Sequence, residues 1–114
     1  MIKLWRSSTL IAAALLSIVA VAPAVSSTVQ PNYISGNIKD ITSVHGALLI
    51  RMDDDRVPTQ CQPSGSFWMK IDQSDTAMIS TVLMYWGQGK TGFTMYIDNW
   101  TGGYCTIGQA DPIN

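Results

Sequence analysis

The rhythm of hydrophobic and polar positions changes several times along this chain. Leu10 to Ala22 reads LIAAALLSIVAVA, an uncharged run broken only by Ser17. From Tyr33 onward the run gives way to period-two alternation, the pattern of half-buried strands. Ile34 and Ile38 share one face of a first strand over 33–41, with Gly36 between them, where an interior glycine suggests a bulge or bend. Thr42-Ser43 reads as a short turn. A second strand over 44–52 puts Leu48, Ile50 and Met52 on one face and Ala47, Leu49 and Arg51 on the other. A polar loop with two prolines covers 53–66. A third strand over 67–71 directs Phe67, Met69 and Ile71 inward and Trp68 and Lys70 outward. The period then lengthens. Ser74 suits an N-cap, Asp75 suits the positive end of a helix dipole, and Met78, Ile79, Val82, Leu83 and Trp86 form one helical stripe. Gly87 is the expected C′ residue. Alternation returns over 93–98, with Phe93, Met95 and Ile97 opposite Thr94 and Tyr96, and again over 104–109, which carries Cys105.

The predicted order is therefore β-β-β-α-β-β: mainly β with one helix. That is the order of a five-stranded, OB-fold-like barrel, with the helix plugging one end. The competing arrangement is an α+β fold with the helix laid across an open antiparallel sheet.

The N-terminal run changes the picture of the whole chain. Lys3 and Arg6 precede it, and small residues follow it at Ala22-Pro23-Ala24 and Ala24-Val25-Ser26. This is the three-part layout of a secretory signal peptide, too short for a spanning helix of about 20 residues. No Cys lies near the cleavage region, so a lipoprotein signal is disfavoured. The expected organisation is a signal peptide over 1–24, a flexible lead-in over 25–32 and one domain over 33–114. The mature protein would be secreted or periplasmic, with no membrane span.

Charge and cysteine content then narrow the partners. The chain has seven basic residues, and losing Lys3 and Arg6 leaves five against eight acids, all of them Asp. A mildly acidic domain without a basic cluster is a poor binder of nucleic acid and of anionic membranes. Cys61 and Cys105 both lie in the mature part, and an oxidising compartment makes one disulfide the natural reading. Such a long loop is worth roughly 4 kcal/mol in the chain-entropy picture. A free thiol pair or a metal site is the alternative, but His45 is the single His available to join them.

Three stretches resemble a known family. They are helix, turn and strand in MISTVLMYWGQGKTGFTMYID, Met78 to Asp98; a Cys ahead of a Trp-bearing strand in CQPSGSFWMKI, Cys61 to Ile71; and a closing strand with the second Cys in YCTIGQADP, Tyr104 to Pro112. Together they resemble small exported bacterial OB-fold proteins, including B subunits of AB5 toxins of the subtilase-cytotoxin and pertussis-like kind. The resemblance implies an OB-fold and a glycan-binding homo-oligomer, with the polar helix face of Gln73, Thr76, Ser80 and Thr81 lining a channel.

Candidate chemistry is sparse. Asp53-Asp54-Asp55 could offer oxygen ligands to Ca²⁺, but it lacks the alternating spacing of an EF-hand, and a solvated turn explains it better. Ser64 and Ser66 flank Gly65 without forming a nucleophile elbow. Asp72 and Asp75 read as the start of the helix, and no motif for a metal or cofactor is present. Asn99-Trp100-Thr101 is a formal glycosylation sequon, of consequence only in a eukaryote. Exposed aromatics are the better candidates for contact with a ligand: Trp100, Tyr96 and Tyr104 around the last turn, and Trp68 on the outward face of its strand. The expectation is an exported, non-enzymatic binding module for a glycan or a protein. The alternative is a monomeric periplasmic protein that binds or inhibits another protein.

Overall fold

A computed structural model describes residues 28–113. The expected signal peptide over 1–24 and the first residues of the lead-in lie outside the described residues. Among the described residues there are six strands, β1 (Thr28–Val29), β2 (Tyr33–Val44), β3 (Ala47–Met52), β4 (Trp68–Asp72), β5 (Gly92–Ile97) and β6 (Cys105–Pro112), with one helix, α1 (Thr76–Gly87), between β4 and β5. Two 3₁₀ segments, Asp53–Asp55 and Thr59–Ser64, occupy the loop after β3.

The strand order is β1-β2-β3-β4-β6-β5, and β2 also pairs with β5. β2 is long enough to serve two partners. Its first half pairs antiparallel with β5, from Tyr33↔Tyr96 to Asn37↔Gly92. Its second half pairs antiparallel with β3, out to Val44↔Ala47, with a register shift between Ile38 and Asp40 where the partner changes. β6 likewise pairs antiparallel with β5 and, through Met69↔Cys105 and Lys70↔Thr106, parallel with β4. The five-stranded, OB-fold-like barrel expected from the element order is corrected to a six-stranded sheet of mixed parallel and antiparallel pairing with one helix, in which β1 is added to β2, β3, β4, β6 and β5, and β5 pairs back onto β2. Alternation reports which face a side chain takes, not which strand lies alongside, and the parallel β4–β6 pair leaves no mark in the sequence pattern. The fully antiparallel alternative fails on the same pair. β1 is the extra strand, inside the stretch read as a lead-in.

The inward residues follow the alternation. Ile34, Ile38, Leu48, Ile50, Met52, Met69, Ile71, Phe93, Met95, Ile97 and Ile107 form one buried cluster with Val82 of α1. Met78, Ile79, Tyr85 and Trp86 pack half-buried against it, and the Tyr85 ring meets Phe93 edge-on at 5.8 Å. Leu83, expected inward, is instead exposed beside Met84. The buried stripe runs 78, 79, 82, 85, 86, and Leu83 falls to its outer side.

Three boundaries also differ. β2 continues through Thr42-Ser43, and the hairpin turns at His45-Gly46, where Gly46 has φ +84. A two-residue hairpin turn needs positive φ, and this glycine supplies it. At the helix start Asp75, not Ser74, is the N-cap, and its side chain makes no capping bond. At the helix end the left-handed residue is Gly89 (φ +73) rather than Gly87. The Lys90 N–H donates to the Tyr85 carbonyl at 2.9 Å and the Gly89 N–H to that of Trp86 at 3.0 Å, the paired bonds of a Schellman ending.

Cys61 and Cys105 are joined by a disulfide with Cα atoms 5.7 Å apart, as expected. The bond ties the Thr59–Ser64 segment to the start of β6, and both half-cystines are buried.

Candidate functional site

The loop after β3 builds a surface cleft from several elements. The three aspartates begin it, and two of them take left-handed backbone, Asp54 at φ 57 and Asp55 at φ 52. Aspartate is among the few residues other than glycine that adopt this conformation at modest cost. Side-chain bonds hold the turn. Asp55 Oδ1 accepts from Arg51 Nε at 2.5 Å and from Lys39 Nζ at 3.4 Å. Asp53 accepts from the Asn37 backbone N–H at 3.3 Å and from its side-chain amide at 3.4 Å. The Arg51 hydrogen bond, joined by the charges of Arg51 and Lys39, holds the Asp55 carboxyl below its ordinary pKa, against a smaller opposing effect of burial. The same bond raises the Arg51 pKa, again with partial opposition from desolvation. The Arg51 guanidinium also lies 5.8 Å from the centre of the Trp68 ring. These aspartates are therefore spent on cations and an amide of their own sheet. Among the described residues no group of three or more His, Cys, Asp or Glu is placed to hold a metal ion.

Beyond Asp55 the chain turns inward, burying Val57 and Pro58. The Thr59 and Gln60 N–H groups then donate to the carbonyls of Gln30 and Pro31, each at 3.1 Å, which fastens this segment beside β1. The 3₁₀ segment ends at Gly65 with φ +69. Ser64 Oγ accepts from the Ser66 N–H at 3.2 Å, and Ser66 Oγ accepts from the Trp68 N–H at 3.1 Å, so two hydroxyls set the path into β4. Phe67 is pushed off the core face by this path and is 53% exposed, contrary to the inward position expected for it.

The result is an open cleft of about 630 Å³. Val29 of β1, Asp55 to Val57, Gln62, and Gly65 to Phe67 line it. Its volume lies in the range of small-ligand pockets, and its wall joins apolar Val29, Val57 and Phe67 to a few polar groups. Arg56 stands on this wall with its guanidinium 3.8 Å from Asp54, beyond hydrogen-bond reach, and about half exposed.

The aromatics singled out in the sequence are engaged separately. Trp100 Nε1 donates to the Gly103 carbonyl at 3.0 Å, and its ring packs half-buried against the core. The Tyr96 ring meets that of Tyr33 at a tilt of 45°, with ring centres 5.3 Å apart. Trp68 is half-buried under Arg51, and Tyr104 is exposed. None of the four lines the cleft. His45 sits exposed at the hairpin tip. The cleft itself escaped sequence reasoning, which passed over 53–66 as a polar loop. The available signal was a Pro- and Gly-punctuated segment running straight into an aromatic.

No protein-family model matches this chain, and neither a curated protein nor a solved structure is similar to it at a significant level. The resemblance to toxin B subunits is corrected on that finding: Gly, Cys and Trp at such intervals recur in unrelated small exported domains, and here they accompany a six-stranded mixed sheet in which α1 leaves apolar Leu83 and Met84 among its exposed residues.

Proposed function

We propose that this chain is an exported binding module, not an enzyme, and that it engages another protein through the cleft between β1 and the 55–67 segment. The observation that carries this reading is Phe67, a large aromatic half out in solvent on the wall of a preformed cleft whose inner side is buried Val57. Exposed aromatics beside apolar hollows are the usual anchors of protein contacts. Export rests on the N-terminal pattern. Among the described residues no helix is long and apolar enough to cross a membrane.

The test is a peptide-display selection against the oxidised protein, repeated with Phe67→Asp. Selected peptides should bind the parent and lose at least tenfold in affinity for the variant. Peptides that bind both equally would place recognition elsewhere. Fractionation of the producing cells, with sequencing of the N-terminus, checks export. The expected product begins near Val25 outside the cytoplasm, and an intact chain retained inside would refute it.

A further inference from the structure

We infer that Asp40 is a gate: it holds the outer edge of β2 closed against antiparallel pairing with a second copy of this chain. This edge includes none of the residues that line the cleft. From Asp40 to Val44, β2 pairs with β3 on one side, while its pairing with β5 ends at Asn37. Among the described residues no strand lies along the other side of this stretch. The two-residue turn at His45-Gly46 fixes which backbone groups face that open side. It makes Val44 and Ala47 a hydrogen-bonded pair, and alternation then adds Thr42 with Leu49 and Asp40 with Arg51. Ile41 and Ser43 therefore turn their N–H and C=O groups away from β3. Thr42, Ser43 and Val44 are all exposed, so the strand is open on both faces here. A row of open main-chain groups is a template for another strand.

The Ile41 N–H, however, is already taken: Asp40 Oδ1 accepts from it at 2.9 Å. The occupant this edge fits is its own copy, because its outward groups are self-complementary. A twofold axis through Thr42 sets Ile41 of each copy against Ser43 of the other, two antiparallel pairs that each exchange both N–H···O bonds. Asp40 acts on that register twice. Two of the four bonds need the Ile41 N–H that its carboxylate holds. The same register also puts that carboxylate across from Val44 of the other copy, a side chain 45% exposed in the single chain. Pairing would then strip water from an anion against an apolar group. Arg51, the residue opposite Asp40 on β3, gives its Nε to Asp55 instead. A charge placed on an edge strand is a recurrent device against pairing between chains.

The experiment is sedimentation equilibrium of the oxidised protein, with amide hydrogen exchange followed over a range of concentrations. The parent is compared with Asp40→Val, and with Asp40→Val carrying Ser43→Pro as well. Asp40 is exposed, so its replacement does not threaten folding. At about 1 mM chain the parent should be mostly monomer and Asp40→Val mostly dimer, a difference of at least about tenfold in Kd. In Asp40→Val the Ile41 and Ser43 amides should exchange more slowly as concentration rises, while that of Thr42, which points to β3, should not change. Ser43→Pro removes an N–H that faces out of the sheet, a place where an edge strand tolerates proline, and should return the Asp40→Val chain to monomer. An Asp40→Val chain that stays monomeric, or a parent that dimerises as tightly, would overturn the gate. Dimers that survive Ser43→Pro, or growth beyond dimers, would overturn the pairing at this edge. If melting shows that Ser43→Pro unfolds the chain, the exchange of Ile41 and Ser43 in Asp40→Val decides alone: protection that grows with concentration supports the inference, and its absence rejects it.

Discussion

Replacing both half-cystines with alanine, Cys61→Ala with Cys105→Ala, removes the one covalent tie between the Thr59–Ser64 segment and β6. The bond closes a loop across a sequence separation of 44. In the chain-entropy treatment a loop of that length costs the unfolded ensemble about 13 cal/mol/K, which is about 4 kcal/mol at 25 °C. Both residues are buried at 1% exposure, so truncation also leaves a small unfilled volume. For a domain of this size each kcal/mol moves Tm by roughly 4–8 °C, which puts the expected drop at roughly 15–30 °C. Calorimetry of the oxidised parent, the reduced parent and the double variant makes the comparison. The reduced parent and the variant should melt close together and far below the oxidised form. A drop of less than about 5 °C, with unchanged urea m-value, would show that loop closure contributes little and that the sheet alone holds this domain.

The remaining predictions concern other contacts. The Asp55 pKa is lowered in the folded state, so its ion pairs with Arg51 and Lys39 stabilise the fold above the ordinary aspartate pKa of about 3.9, and this contribution is lost as pH falls through the depressed value. Urea midpoints of the parent and Asp55→Asn should therefore differ at neutral pH and converge in acid; a gap that persists at low pH would point to backbone strain instead. Phe93→Ala removes a fully buried ring in edge contact with Tyr85 and should cost about 3–5 kcal/mol in urea unfolding, whereas exposed Leu83→Ala should cost under about 1. Gly89→Ala places a Cβ at φ +73 in the helix ending and should cost about 1–2 kcal/mol, with no steric neighbour to add to it.

How far the sequence reached can be seen strand by strand. Met69, Ile71, Phe93, Met95 and Ile97 were assigned inward from alternation, and all are buried, because period two is imposed by backbone geometry wherever one face is dry. Phe67 broke the same rule. It precedes the first paired residue of β4, and the Ser64 and Ser66 hydroxyls, rather than strand geometry, set its direction. Partner choice was beyond reach. β2 changes partner at its bulge, and whether Cys105 lies beside Met69 or elsewhere depends on tertiary packing that neither local segment encodes. The helix ending was missed by two residues because Gly87 and Gly89 are equally plausible by composition, and the hydrogen bonds to Tyr85 and Trp86 select the second. The candidate site was the least legible part. Its residues come from β1, the Asp53–Asp55 turn and the Thr59–Ser64 segment, which have no shared periodicity and meet only once the sheet is assembled.

That assembly also explains why the cleft can be a binding surface although loops build it. One wall follows Cys61, whose disulfide fixes the 3₁₀ segment to β6 just ahead of Gln62, Gly65, Ser66 and Phe67. The other follows Asp55, held by cations from β2 and β3, and passes directly into Arg56 and buried Val57. Backbone bonds from Thr59 and Gln60 to Gln30 and Pro31 then set the distance of both walls from Val29. Each wall of the cleft is thus tied to the rest of the fold by a bond within a few residues of its lining side chains. Ordering a loop on binding costs about 0.5–1.5 kcal/mol per immobilised side chain, a cost that a preformed wall largely avoids. In a domain this small, the disulfide and the Asp55 ion pairs therefore act on two levels at once: they stabilise the fold, and they keep Phe67 and Arg56 in place before any partner arrives.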